Sequence, residues 1–265
     1  MDRDELAARL EAELRDDPRV RAAWLTGSLA RGTADEFSDV DVWAVVDPDR
    51  FDEFVAAWPE ASERVSPLVL REMREFGRAA LFNHVTPDWL RFDLALETPD
   101  AVARRPASSL RLLFDRDGLA AGARAGGQPL APSPKTVQRL VTEFLRVLGL
   151  LPVVIGREDY VNAVSGAALL RQTLVQLMIE DVAVEDPGGA LHLSALLPPE
   201  RYAVLARLPG VEATRESAIA AHVACAQAFL PLARELTKRC ELAWPVDLER
   251  AARAHIYQRL GVDFD

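Results

Sequence analysis

The chain has 265 residues, 49% of them hydrophobic, and a formal net charge of -10, which is enough apolar material for one large core or two modest ones. No apolar run reaches the ~18 residues needed to span a bilayer, and the opening Met1-Asp2-Arg3-Asp4-Glu5 is acidic where a signal peptide is basic, so a cytoplasmic protein without a membrane partner is expected. Residues 1–100 hold 23 acids against 12 bases and residues 101–265 hold 18 against 19, an imbalance that repels a long nucleic acid and favours a cationic partner.

Taken in order, Leu6, Leu10 and Leu14 stand four apart and predict an amphipathic helix over 4–15 that ends near Asp17-Pro18. An apolar strand over Val20 to Leu25 stops at a Gly27-Ser28 turn, with a short helix after it. A second strand over Val40 to Val46 is closed by Asp47-Pro48-Asp49. A helix around 51–58 follows, then strands at Pro67 to Arg71, Ala79 to Val85 and Leu90 to Leu96, the last two joined as a hairpin across Thr86-Pro87-Asp88. Leu110 to Phe114 adds a strand stopped by Asp115-Arg116-Asp117-Gly118.

The stretch 126–134 is rich in proline without donors and glycine that resists ordering, and it reads as a linker. Beyond it helices are expected near 136–150, 159–182, 199–207, 213–239 and 247–260, with breaks at Pro152, Asp186-Pro187-Gly188-Gly189 and Pro209-Gly210. The expected fold class is α+β: a mixed sheet domain over 1–125, then an all-helical domain over 135–265 that binds substrate.

Two cysteines, Cys225 and Cys240, are too few for a disulfide framework or zinc finger, and the four histidines never fall at ligand spacing. The informative segment is Leu25-Thr26-Gly27-Ser28 through Ser38-Asp39-Val40-Asp41-Val42. Side chains alternate along a strand, so Asp39 and Asp41 share a face. Two such charges ~4 Å apart repel by roughly 4 kcal/mol at an effective dielectric near 20, which calls for a hard divalent cation such as Mg²⁺ or Mn²⁺. Upstream, the glycine lets backbone N–H groups approach phosphate oxygens and Ser28 adds a hydroxyl donor.

Gly27-Ser28 followed by Asp39-x-Asp41 in an apolar strand resembles the signature of the polymerase-beta-like nucleotidyltransferases, over roughly residues 18–118. The resemblance implies a third aspartate on a later strand, a role that Asp93 in Leu90-Arg91-Phe92-Asp93-Leu94 fits better than Asp88 in the turn or Glu97 at the strand end. It implies transfer of a nucleotide monophosphate, AMP from ATP, to an acceptor hydroxyl. Asp39, Asp41 and Asp93 would hold two Mg²⁺ ions, Asp93 would also serve as base, Gly27 and Ser28 would hold the phosphates, and Arg31 would steady the pyrophosphate.

A sheet domain followed by helices is similar to the bacterial branch that adenylylates aminoglycoside or lincosamide antibiotics. The acceptor is therefore expected to be a small cationic or hydroxyl-rich molecule bound between the domains, with Glu158 and Asp159, at the start of a helix, able to receive it. Arg157, Tyr160 and Lys135 lie nearby in sequence, where first-turn caps account for most such charges. A protein adenylyltransferase of the same superfamily and a catalytically silent nucleotide-binding module are the alternatives. No motif specifies an oligomeric state.

Overall fold

The structure is a computed structural model that describes residues 1–125, 131–183 and 193–264. The chain divides into two compact units, Met1–Gln128 and Pro129–Asp265.

In the first unit, helix α1 (Arg3–Asp16) begins where the Asp2 carboxylate accepts the Glu5 N–H at 2.8 Å, and it buries Leu6, Leu10 and Leu14 completely. Strands β1 (Val20–Leu25) and β2 (Val40–Val46) have the expected bounds, with a one-turn helix α2 (Gly27–Arg31) between them. Helix α3 (Phe51–Val65) runs a further two turns past its expected end at 58. Pro59 removes one helical hydrogen bond, but Trp58, Ala61 and Val65 continue the buried stripe begun by Phe51, Phe54 and Val55, and this packing carries the helix through.

Strand β3 (Leu70–Glu75) lies three residues later than expected and is exposed along its whole length. Its Arg-Glu-Met-Arg-Glu run has no apolar alternation; the strand exists because it pairs with β4 (Ala79–Val85), from Leu70 opposite Val85 to Glu75 opposite Ala80. Its charges suit a sheet edge. Strands β5 (Arg91–Glu97) and β6 (Arg111–Asp115) complete a six-stranded sheet of order β3-β4-β5-β2-β1-β6, in which β2 and β5 are parallel and the other pairs antiparallel.

One face of this sheet, built from residues such as Val40, Val42, Ala44, Phe92, Leu94 and Leu96, packs on α1 and α3. On the other face Trp24 stacks on Trp43 with ring centroids 4.6 Å apart, and 3₁₀ turns at Pro99–Arg104 and Leu119–Gly122 cover them through Ala101, Val102 and Leu119. The cover lies over Trp43 and Val45. Asp41, earlier on the same strand and the same face, remains partly exposed.

The second unit is helical: α4 (Pro134–Leu148), α5 (Leu151–Gly156), α6 (Tyr160–Val182), α7 (Leu193–Leu196), α8 (Pro199–Arg207), α9 (Arg215–Arg239) and α10 (Val246–Leu260). The fold is thus α+β, as the sequence predicts. Pro152 opens α5 in its first turn rather than breaking a helix, since a missing N–H costs nothing there. Ser133 caps α4 and Pro134 begins it, so the end of the expected linker is helical. Its residues 126–130 and the expected break at 186–189 lie outside the described residues.

Phe144 of α4 stacks on Phe229 of α9 at 3.7 Å in the core. Helix α9 is apolar and long enough to cross a bilayer by length and composition, contrary to the expectation that no segment is. Half of its most apolar window is buried within this unit, against α6 and α4.

His84 locks β4 and β5 to α3. Trp58 Nε1 donates to His84 Nε2 at 3.3 Å, and His84 Nδ1 lies 3.2 Å from the Phe92 carbonyl, an arrangement that needs a proton on Nδ1 and none on Nε2. Burial lowers its pKa from 6.5 to about 4. The folded value lies below the unfolded one, so this contribution to stability is present above pH ~6.5 and is lost as pH falls toward 4, amounting to about 3 kcal/mol in all. Urea unfolding followed by tryptophan fluorescence should lose stability over that window. The loss should be visibly smaller in His84→Gln, and equal losses in the two proteins would contradict the assignment.

Candidate active site

The parallel register of β2 and β5 sets Asp41 directly beside Asp93, and the antiparallel register of β4 and β5 sets Asn83 on the other side of Asp93. All three side chains therefore share the partly exposed end of one sheet face. Asn83 hydrogen-bonds the Asp93 carboxylate.

Asp39 lies one residue before β2, not within it. A tight turn fixes it: the Asp35 carboxylate accepts from Ser38 Oγ at 2.9 Å and from Phe37 N at 3.0 Å, while Arg3 donates to the Asp35 carbonyl at 2.5 Å. Asp39 faces Arg91 at 3.6 Å, both about one-third exposed.

Gly27 joins the two halves of the motif. Its φ of +60° suits glycine, and a Cβ there would stand 2.2 Å from Asp41 Oδ2, so the backbone of Gly27 is pressed against that carboxylate. The Thr26 N–H donates to the Asp41 carbonyl at 2.9 Å, tying the end of β1 to the same residue.

Ser28 is 4% exposed, and its hydroxyl has no hydrogen-bond partner, which leaves a buried donor turned to no group of the described residues. Gly27 and Ser28 are the first residues of α2 itself rather than a turn ahead of a helix. With five residues, α2 supplies N–H groups but little dipole. Arg31 ends α2 and is partly buried.

Asp93 has its pKa raised, first by burial and then by the Asp39 charge, against the hydrogen bond from Asn83 and the charges of Arg91 and Arg74. Among the described residues, no three His, Cys, Asp or Glu side chains are drawn into metal-ligating spacing. The three aspartates are thus not gathered into one cluster, and Asp39 lies against Arg91. The carboxylate oxygens of Asp41 and Asp93, adjacent on neighbouring strands, suit a hard divalent cation in type.

Of the rival acids, Asp88 is exposed in the hairpin turn, and Glu97 is held by Arg105 at 2.7 Å and Arg104 at 3.5 Å. In the helical unit, Asp159 spends its carboxylate on the N-cap of α6, accepting from Asn162 N at 3.1 Å. Glu158 is exposed, with φ +56°, and Lys135 is exposed in the first turn of α4. The sequence reading missed Asn83 and Arg91: counting outward from the expected 86–88 turn pairs residue 83 with residue 91, whereas the connection spans 86–90 and pairs Asn83 with Asp93.

The family model described as streptomycin adenylyltransferase matches residues 3–259. Among solved structures, the chain is similar to an aminoglycoside 6-adenyltransferase from Bacillus subtilis at 15% identity and TM-score 0.46, covering 96% of this chain and 95% of that one. It is also similar to a nucleotidyltransferase-like protein from Exiguobacterium sibiricum at 14% identity and TM-score 0.36, covering 97% and 88%. No curated protein sequence matches it.

Two substitutions at this site should move stability in opposite directions. Gly27→Ala forces a side chain into the left-handed region and against Asp41, costing at least ~1–2 kcal/mol and several degrees of melting temperature. Asp93 has a folded pKa above its unfolded value, so ionised Asp93 costs stability at pH above both, and the cost vanishes as pH falls below the unfolded one. Asp93→Asn should therefore melt no lower than the parent at pH 7.5, with any gain disappearing near pH 4. A clear drop at pH 7.5 would contradict the burial argument.

Proposed function

The chain belongs to the streptomycin adenylyltransferase family, and from that premise we propose that it moves AMP from ATP to a hydroxyl of a small polycationic aminoglycoside in the cytoplasm. The chain is a nucleotidyltransferase, and its co-substrate is a nucleoside triphosphate. The observation that carries the finer reading is the in-register pair Asp41–Asp93, closed on one side by the glycine backbone of residue 27.

Asp39, Asp41 and Asp93 would together hold divalent metal, Mg²⁺ by preference, which supplies charge neutralisation for the phosphates and acidity for the acceptor hydroxyl. The chain's own groups do the rest. Asp93 takes the acceptor's proton as the acceptor oxygen attacks the α-phosphorus and pyrophosphate leaves in line. Asn83 holds the Asp93 carboxylate in place for that transfer.

Backbone N–H groups at Gly27 and Ser28 and the unpartnered Ser28 hydroxyl donate to the departing phosphates, and Arg31 offsets their charge. A cationic acceptor suits the acidity of residues 1–100. The presence of all three aspartates weighs against a silent nucleotide-binding module. The large helical unit weighs against a minimal enzyme acting on a partner protein.

The test uses α-labelled ATP, Mg²⁺ and a panel of aminoglycosides, streptomycin first, beside lincosamides and a cell extract. Labelled aminoglycoside is expected. Label on protein alone would remove the acceptor assignment and leave the transfer chemistry. On the best acceptor, Ser28→Ala loses one neutral hydrogen bond and should cost no more than about tenfold in kcat. Asp93→Asn loses metal ligand and base together and should cost on the order of 10³-fold or more. Comparable losses in two folded variants would refute these roles. Efficiency should also fall as salt shrinks the Debye length from ~10 Å toward ~3 Å, and a flat response would indicate that charge does not recruit the acceptor.

A further inference from the structure

The helical unit contains a cavity of about 400 Å³ lined by none of the residues assigned above to nucleotidyl transfer. Three helices line it. Arg157 stands at the C-cap of α5, Arg215 is the first residue of α9, and His255 and Arg259, four apart, lie on one face of α10. Ile155 and Leu260 give it an apolar floor, continuous with the cluster of Leu151, Ala163 and Ala218 beneath.

The three arginines around this cavity are exposed and, like Arg207 of the same unit, share no carboxylate. Elsewhere in the same unit, Arg234 and Arg253 converge on Glu249, and Arg201 and Arg239 on Asp181. Among the described residues, the side chains of Arg157, Arg215 and Arg259 make no ion pair or hydrogen bond. Arg157 and Arg259 sit at helix C-termini, where a cation is favourable. Arg215 sits at the N-terminus of a 25-residue helix, where it is not. Glu158 and Glu216 beside them in the chain do not pair with these exposed guanidinium groups, so an anion entering the cavity would meet them unshared.

We propose that this cavity binds a phosphomonoester with an apolar body of nucleoside size. A phosphate dianion offers enough oxygens to engage several guanidinium groups at once, and the floor of Ile155 and Leu260 takes the remainder of a molecule. The volume suits a small organic ligand rather than a bare ion. All of its lining residues belong to the helical unit.

The full chain is titrated in EDTA with AMP, inorganic phosphate or adenosine, reading calorimetric affinity and the ring resonances of His255. AMP should bind and move His255, phosphate should do so more weakly, and adenosine should not. Asp93→Asn should leave this binding intact. Arg215→Ala with Arg259→Ala should weaken it at least about tenfold while leaving nucleotidyl transfer and the melting temperature unchanged, and the doubly Lys-substituted protein should fall between.

A His255 resonance unmoved by AMP, or an affinity insensitive to the arginine substitutions, would overturn the site. Adenosine binding as tightly as AMP would overturn the phosphate, and phosphate binding as tightly as AMP would overturn the organic ligand. Should the Ala variant fail to fold, the Lys variant decides the same question through its smaller loss.

Discussion

The parallel pairing of β2 with β5 is the constraint on which the catalytic unit depends. Every other strand pair in the sheet is antiparallel. A parallel neighbour requires a long crossover, and α3 with the β3–β4 hairpin supplies it. The result is a register in which Asp41 and Asp93 are adjacent, an arrangement that hydrophobic packing alone would disfavour. Two carboxylates side by side in a partly buried position cost several kcal/mol unless cations or donors meet them. Asn83 and Arg91 provide part of that compensation.

The two faces of the sheet divide the labour. The face against α1 and α3 is almost wholly apolar, closed by fully buried groups such as Trp58, Phe54 and Phe92, and it contributes most of the stability of the unit. The opposite face is split along its length. Its far part is sealed by the Trp24–Trp43 stack and the 3₁₀ turns, while its near part is given over to polar groups that destabilise the fold. Burial raises the Asp93 pKa for the same reason that it makes the ionised residue costly. The apolar face is what lets the sheet tolerate that cost.

Charge is handled differently in the helical unit. Carboxylates there are shared between arginines, with Glu249 accepting from Arg234, Arg253 and the Trp244 indole, and Asp181 from Arg201 and Arg239. These pairs bind the helices to one another through groups that are partly buried and thus less screened than surface pairs. Around the cavity of α5, α9 and α10, by contrast, the exposed Arg157, Arg215 and Arg259 share no carboxylate among the described residues.

Much of the catalytic unit was legible in the sequence because its signals are local. Leucines four apart specify α1, apolar runs between turn residues specify β1 and β2, and Gly27-Ser28 with Asp39-x-Asp41 marks chemistry because glycine, hydroxyl and paired acids have few other reasons to stand at that spacing. Helix α3 beyond Pro59 and the position of β3 were not legible. Both are decided by partners distant in the chain: a continuous buried stripe under the sheet in the first case, and the edge of β4 in the second.

The sequence by itself determined that a glycine, a hydroxyl and three aspartates stand in and around the strands of the first unit. Only the tertiary structure decided that Asp41 lies beside Asp93, that Asn83 and Arg91 attend them, and that Gly27 has no room for a side chain. The physical reason is that strand register and the placement of α5, α9 and α10 depend on contacts between segments far apart in sequence, and no local pattern encodes those contacts.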